Sequence, residues 1–136
     1  MNESIFKQYD IRGKYPEEIN ENTAYLIGQA CATKFIKGKV IVAYDVRNGS
    51  ISLAESLING LENMNSGLNK AIKIITVGYS TAPMFYYLVN HLKASGGTMV
   101  TASHNPKEYN GIKVVGKNAN TISGFEIKDL LPKGLM

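Results

Sequence analysis

Apolar residues along this chain fall alternately into short continuous runs and into stripes at helical spacing. VIVAY at 40–44, AIKIITV at 71–77, TMVTA at 98–102 and IKVV at 112–115 read as strands, the first apolar throughout, as a strand covered on both faces should be. Between them lie three stripes. Ala24, Ile27, Gly28, Cys31 and Phe35 recur at helical spacing to about residue 36. Leu53, Leu57, Ile58, Leu61 and Met64 make the second, and Met84, Leu88, Val89 and Leu92 the third. Asn20 or Asn22 caps the first helix. Ser52 and Glu55 form a candidate capping box for the second. Ser80 or Thr81 caps the third, whose first turn tolerates Pro83. Lys37-Gly38-Lys39 and Asn65-Ser66-Gly67 end helices, and Gly96-Gly97 is expected to turn the chain into the third strand. Residues 5–14 look extended, closed by Gly13 and Pro16, and residues 121–131 suggest a last helix or a linker.

This order, α-β-α-β-α-β-β, predicts a three-layer α/β/α fold. Strands joined through helices should be parallel, with right-handed crossovers. No helix-length segment separates the third strand from the fourth, so the last strand is expected antiparallel in a mixed four-stranded sheet. Residues 5–130 are expected to form one domain that folds alone, with 131–136 as a tail or the start of a linker. The final PKGLM looks cut short. In open α/β sheets, sites collect beyond the carboxyl ends of the parallel strands. Residues 45–49, 78–81 and 103–110 all fall at that edge, and only the last is rich in chemistry.

Composition narrows the function classes. The chain has 136 residues, of which 44% are hydrophobic, enough for one core and not for two. Net charge is +4, but the 15 Lys and Arg residues are dispersed, with no basic–aromatic alternation. That argues against a nucleic-acid partner and fits small phosphorylated molecules better. The N-terminus lacks a signal pattern, and no apolar run reaches membrane-spanning length, so no membrane partner is expected. One cysteine excludes an internal disulfide and agrees with a reducing, cytoplasmic setting. Cys31 lies on an apolar helical face and reads as core. Two glycosylation sequons, at Asn2 and Asn48, are read as chance matches.

Candidate chemistry centres on TASHNPKEYNGIK at 101–113. Ser103 is carried off a strand end onto a polar turn made rigid by Pro106. His104 is adjacent, and Lys113 returns on the next apolar run. A hydroxyl, an imidazole and an amine on one strand–loop–strand unit suit phosphoryl transfer, which needs positioning and electrostatic stabilisation above all. No G-x-S-x-G elbow supports a hydrolase triad, and neither a P-loop nor a G-x-G-x-x-G motif supports nucleotide binding. Arg12, in YDIRG, offers forked donors to a phosphate, or pairs with Asp10. Asp45 and Arg47 are expected to brace the loop that carries Ser103. No acidic or His/Cys cluster has metal-ligand spacing, so a metal could draw at most one oxygen here, from a phosphorylated Ser103.

YDIRG at 9–13, YDVRNGS at 44–50 and TASHNPKEYNGIK at 101–113, in this order and spacing, resemble the N-terminal domain of the α-D-phosphohexomutases, over roughly residues 5–130. The resemblance implies that Ser103 is the phosphoserine and a ligand of Mg²⁺ through its phosphate. It implies that Arg12, Lys113 and His104 act in catalysis, that Tyr9 and Asn105 meet a phosphorylated hexose, and that Asp45, Arg47, Asn110 and Gly111 are structural support. YDIRG favours the mannose/glucose branch, with phosphoglucosamine as the runner-up. Departures lie in Asn48-Gly49 before Ser50 and in Ser80-Thr81-Ala82-Pro83 at the third helix.

The family is built of four domains. The resemblance therefore implies that domains II–IV, with the acidic metal loop and the sugar and distal phosphate loops, are absent from this chain, and that the chain alone has negligible mutase activity. An exposed apolar face toward those domains is expected. A module that binds phosphosugars or proteins without turnover, and a phosphatase, are the competing readings.

Overall fold

The computed structural model describes residues 1–35, 37–67 and 71–132. Six strands form one sheet: β1 (Ile11–Lys14), β2 (Lys37–Tyr44), β3 (Ala71–Tyr79), β4 (Gly96–Val100), β5 (Tyr109–Val115) and β6 (Thr121–Ile122). Four helices accompany them: α1 (Glu21–Lys34), α2 (Ser50–Gly67), α3 (Ala82–His91) and α4 (Gly124–Asp129). The strand order is β1-β5-β4-β2-β3, with β6 also on the outer edge of β5. β3, β2 and β4 are parallel; β5 runs antiparallel to β4, to β1 and to β6.

The three-layer α/β/α architecture and the antiparallel return after β4 are as the sequence predicts. The strand count is not: the sheet has six strands, not four. β1 and β6 are four and two residues long, too short for alternation to register. They become strands because the outer edge of β5 presents unpaired backbone groups to them, from Tyr109 to Ile112 for β1 and from Val114 to Val115 for β6.

The sheet separates two cores. Val40, Val42, Val100 and Ile112 face α1, α2 and α4, where Ile27, Cys31, Leu57 and Ile127 are fully buried. Ile41, Ala43 and Met99 point the other way, onto Phe85 and Val89 of α3. The central run from Val40 to Ala43 is buried on both faces, as its continuous apolarity requires, and Tyr44 is half-buried. Helix α3 turns a different face to the sheet from the one its pattern suggests. Phe85 and Val89 are buried, whereas Met84 is 50% exposed, and Tyr87 is also exposed. The i, i+4 pair with the larger ring takes the interior, and the thioether is left outside.

Local punctuation follows the same logic, with two corrections. Asn20 caps α1 by accepting the Thr23 amide at 3.0 Å, and Thr81 caps α3 by accepting the Met84 amide at 3.3 Å. The capping box at Ser52 does not form. Helix α2 begins two residues earlier at Ser50, whose hydroxyl is spent on Asp45. Gly96 and Gly97 are not a turn but the buried start of β4. A Cβ on Gly96 would meet the Phe35 ring at 2.3 Å, and one on Gly97 the Ile41 carbonyl at 2.8 Å, so these glycines serve close approach. Residues 121–131 hold β6 and α4. The expected helix end at 36 and most of the expected tail lie outside the described residues. Among the described residues, no helix is long and apolar enough to cross a membrane.

Helices α1 and α2 cross through a reciprocal pair of glycines. A Cβ on Gly28 would lie 2.2 Å from the Leu57 carbonyl, and one on Gly60 would lie 2.0 Å from the Tyr25 carbonyl. Backbone rests on backbone there, so Cys31 and its neighbours are sealed beneath the pair. Burial alone pushes the Cys31 thiol up to about 12. In the unfolded chain the thiol ionises near pH 8.5. Above that pH the unfolded state has lost a proton that the fold retains, so stability is unaffected below about pH 8.5 and falls as pH rises toward 12. Urea unfolding at pH 7 and pH 10 should show the parent losing about 2 kcal/mol more than Cys31→Ala over that interval. Equal losses would mean that the thiol is reached by solvent.

Candidate active site

The site begins where β4 ends. The chain leaves Val100 through buried Thr101 and Ala102 and emerges at exposed Ser103. Ser103 has a φ of +54°, in the left-handed region that costs a residue with a Cβ about 1 kcal/mol. Local bonds hold it there. The Ser103 amide donates to Thr101 Oγ1 at 3.0 Å. The Asn105 amide and side chain both donate to the Ala102 carbonyl, at 3.0 and 2.7 Å. The Ser103 side chain has no hydrogen-bond partner among the described residues, so its hydroxyl is presented outward and unspent.

Arg47 organises the loop from inside. Its Nη1 donates to the carbonyls of Pro106 and Tyr109, at 2.8 and 3.1 Å, and its Nη2 to those of Ser103 and Asn105, both at 2.6 Å. One planar guanidinium thus satisfies four carbonyls of a seven-residue bend. Asp45 fixes the arginine in turn: its Oδ1 accepts the Arg47 amide at 3.0 Å, and its Oδ2 lies 3.7 Å from Nε. The same Oδ1 accepts the Ser50 hydroxyl at 2.6 Å, and Ser50 accepts from buried Asn110 at 3.0 Å. Asn110 also donates to the Asn48 carbonyl at 3.1 Å, while its own oxygen accepts the Gly111 amide at 2.8 Å. A Cβ on Gly111 would lie 2.3 Å from the Ile11 carbonyl, so glycine is required for β1 to close on β5. The chain from Asp45 to Gly111 is therefore a buried, satisfied polar network that locks the loop to β2, α2 and β1.

Of the residues proposed for chemistry, Ser103, Arg12, Lys113 and Tyr9 line one open cavity of about 370 Å³, together with Lys7, Gln8 and Asp10. Arg12 Nε lies 3.9 Å from Asp10, so the anticipated ion pair and the cavity position coexist. Tyr9 is 70% exposed at the rim. Asn105 lines an adjoining groove rather than this cavity. His104 is exposed and lines neither. Three contributors were not singled out from the sequence. Thr101 holds the Ser103 amide, Ser50 links Asp45 to Asn110, and Lys7 enters the cavity from the N-terminal segment. Only Ser50 had a signal, as the polar residue that ends the YDVRNGS motif. Lys7 lies in a segment without periodicity and meets Ser103 only through the pairing of β1 with β5.

Among the described residues, no group of three or more His, Cys, Asp and Glu side chains could hold a metal ion. The Ser103 cavity offers one carboxylate, Asp10, and that is already beside Arg12. The donor set in this chain does not by itself fit Mg²⁺.

Residues 3–132 match the family model described as phosphoglucomutase/phosphomannomutase, alpha/beta/alpha domain I. A phosphohexose mutase of Xanthomonas campestris pv. campestris (strain B100) is 43% identical over 128 residues, covering 91% of this chain and 27% of the relative. A phosphomannomutase of Klebsiella pneumoniae is 45% identical over 121 residues, covering 89% of this chain and 73% of the relative. Among solved structures, a phosphoglucomutase/phosphomannomutase family protein from Burkholderia thailandensis superposes with a TM-score of 0.80 at 28% identity, over 96% of this chain and 29% of that one. The chain spans less than a third of the length of the Xanthomonas and Burkholderia proteins.

Proposed function

Because this chain belongs to the phosphoglucomutase/phosphomannomutase family as its α/β/α domain I, we propose that it is the phosphoserine domain of a hexose phosphate mutase. Ser103 carries a phosphate and hands it to a mannose or glucose monophosphate. The sugar bisphosphate so formed returns its other phosphate to Ser103, and 1-phosphate and 6-phosphate are interconverted.

The observation that carries this reading is the exposed, unspent Ser103 hydroxyl sharing a cavity with Arg12 and Lys113. In the first transfer the bond from Ser103 Oγ to phosphorus breaks as a sugar hydroxyl oxygen bonds to the same phosphorus. The proton leaving the sugar ends on the serine oxygen, and Lys113 is its relay. Arg12 stabilises the charge on the phosphoryl oxygens with forked donors. Tyr9 and Asn105 contact the incoming sugar phosphate. His104, exposed beside Ser103, screens charge at the mouth of the site rather than at the reacting atoms. A phosphorylated Ser103 would offer one oxygen to Mg²⁺, which would supply Lewis-acid stabilisation in the complete enzyme. Its acidic ligands come from outside this chain, since the donors here do not suffice. Sugar recognition is likewise supplied by other domains, so this chain alone accepts a phosphate slowly and does not turn over.

The test is intact-mass and peptide mass spectrometry after incubation with glucose 1,6-bisphosphate and MgCl₂. One phosphate, mapped to Ser103, is expected, with no conversion of mannose 1-phosphate. Phosphate on a different residue, or none, would reject the assignment. Steady release of inorganic phosphate from sugar phosphates would instead make the domain a phosphatase.

A further inference from the structure

We propose that Lys7 is a phosphate-binding residue of the Ser103 site, the third cation of a cradle with Arg12 and Lys113, and that its ligand is a phosphate monoester dianion. The inference rests on the reading of Ser103 as a phosphate carrier.

The backbone holds Lys7 firmly. It opens a four-residue turn, Lys7–Asp10, closed by its own amide donating to the Asp10 carbonyl at 2.8 Å. Phe6 and Ile11 bridge the base of this turn, and both are buried, at 2% and 0% exposure. The start of α4 presses on it from below: a Cβ on Gly124 would lie 2.5 Å from the Lys7 carbonyl oxygen and 2.8 Å from its nitrogen. A lysine stem rooted this way reaches a restricted volume, which reduces the entropy lost when its ammonium binds.

The side chain has one place to spend its charge. Among the described residues, Lys7 pairs with no carboxylate. It lines two adjoining cavities, and the only other residue common to both is Arg12. The first opens on Ser103. The second contains one carboxylate, Glu18, which accepts the Lys14 amide at 2.8 Å and the Asn2 side chain at 3.5 Å. Lys7 and Arg12 thus stand together on the wall between a carboxylate already engaged and a hydroxyl that is free.

Charge balance identifies the ligand. Lys7, Arg12 and Lys113 against Asp10 leave the Ser103 cavity at +2. A phosphate monoester carries about −1.5 to −2 near neutral pH, so the cavity is neutralised by one such group. Without Lys7 the cavity stands at +1, and Arg12 already shares its charge with Asp10 at 3.9 Å. The two cations apparent in the sequence leave the dianion under-compensated, and Lys7 makes up the difference.

The test compares the parent with Lys7→Met, which keeps the apolar stem and removes the charge, with Lys7→Arg, which keeps the charge, and with Lys73→Ala on the far edge strand as a control. Inorganic phosphate and glucose 1,6-bisphosphate are titrated by calorimetry at low salt, and phosphate uptake on Ser103 is timed by mass. Lys7→Met should weaken both ligands about tenfold and slow uptake at least as much. Lys7→Arg should recover most of both, and Lys73→Ala should match the parent. Parent-like affinity and uptake in Lys7→Met overturn the inference while leaving Ser103 as carrier. Equal losses in Lys7→Met and Lys7→Arg also overturn it, since shape and not charge would then matter. If the parent takes up no phosphate on Ser103 yet binds inorganic phosphate in a Lys7-dependent way, Lys7 stands as a phosphate ligand and the carrier reading falls.

Discussion

Ser103→Ala should take up no phosphate from a hexose bisphosphate at all, and its unfolding free energy should stay within about 0.5 kcal/mol of the parent. The two halves of this expectation have separate causes. Loss of function is expected to be complete because the proposed reaction bonds phosphorus to the Ser103 oxygen; no neighbouring hydroxyl shares its cavity except Tyr9 at the rim. Stability is spared because the Ser103 side chain bonds to nothing in the fold. Its amide bond to Thr101 and its carbonyl bond from Arg47 both belong to the backbone and survive the substitution. Ser103→Gly sharpens the point. With a φ of +54° at this position, glycine removes the steric cost of the left-handed conformation. It should therefore be at least as stable as the parent while equally inert. The strain at Ser103 would then be visible as the cost of aiming its hydroxyl into the cavity. A marked loss of stability in Ser103→Ala, or phosphate uptake on another residue of the variant, would contradict this account.

Arg47→Ala is expected to do the opposite, damaging stability and chemistry together. The arginine side chain is only 16% exposed and satisfies four loop carbonyls. Removing it strips all four carbonyls of their charged donor, leaving Pro106 only the Tyr109 amide at 2.9 Å, and leaves Asp45 without its counter-ion. A loss of about 3 kcal/mol follows from deleting charge-assisted bonds at a mostly buried site, on the order of a 10 °C drop in melting temperature. Phosphate uptake at Ser103 should fall by at least about a hundredfold even below the melting temperature, because a loop misplaced by an ångström loses its near-attack geometry. Arg47→Lys should regain little. An ammonium is a point donor, whereas these carbonyls face a planar fork, two to each terminal nitrogen. Thermal melts and timed mass spectra on the same samples check both halves. Intact uptake in Arg47→Ala would mean that the loop holds its shape without the guanidinium.

Much of this molecule is legible from its residues alone, and the particular failures are instructive. The run at 40–44 and the stripe through Ile27 and Cys31 announce their burial because continuous apolarity and 3.6-residue spacing are local consequences of how each element meets the core. Asp45 and Arg47 were recognisable as loop supports because a paired acid and base at a strand end has little other use. The Gly96-Gly97 pair misled because glycine marks turns and close contacts alike, and only the rings of Phe35 and Phe85 packed over it distinguish the two. His104 looked like a partner of Ser103 by adjacency. Ser103 itself takes the left-handed conformation, and His104, though next in sequence, does not line the cavity that Ser103 shares with Arg12 and Lys113.

The sequence by itself determined the layers, the direction of the strands and the hydroxyl proposed to carry the phosphate, since each is written within a dozen consecutive residues as periodicity, capping or motif. Only the tertiary structure decided that β1 and β6 complete the sheet, that one guanidinium gathers four carbonyls of the loop, and that Lys7 joins Arg12 and Lys113 around Ser103. Apart from the short return of β6 onto β5, those facts depend on contacts between residues about sixty or a hundred positions apart. Such contacts arise when unpaired edges and buried polar groups find partners, and no local pattern of side chains encodes which partner each will find.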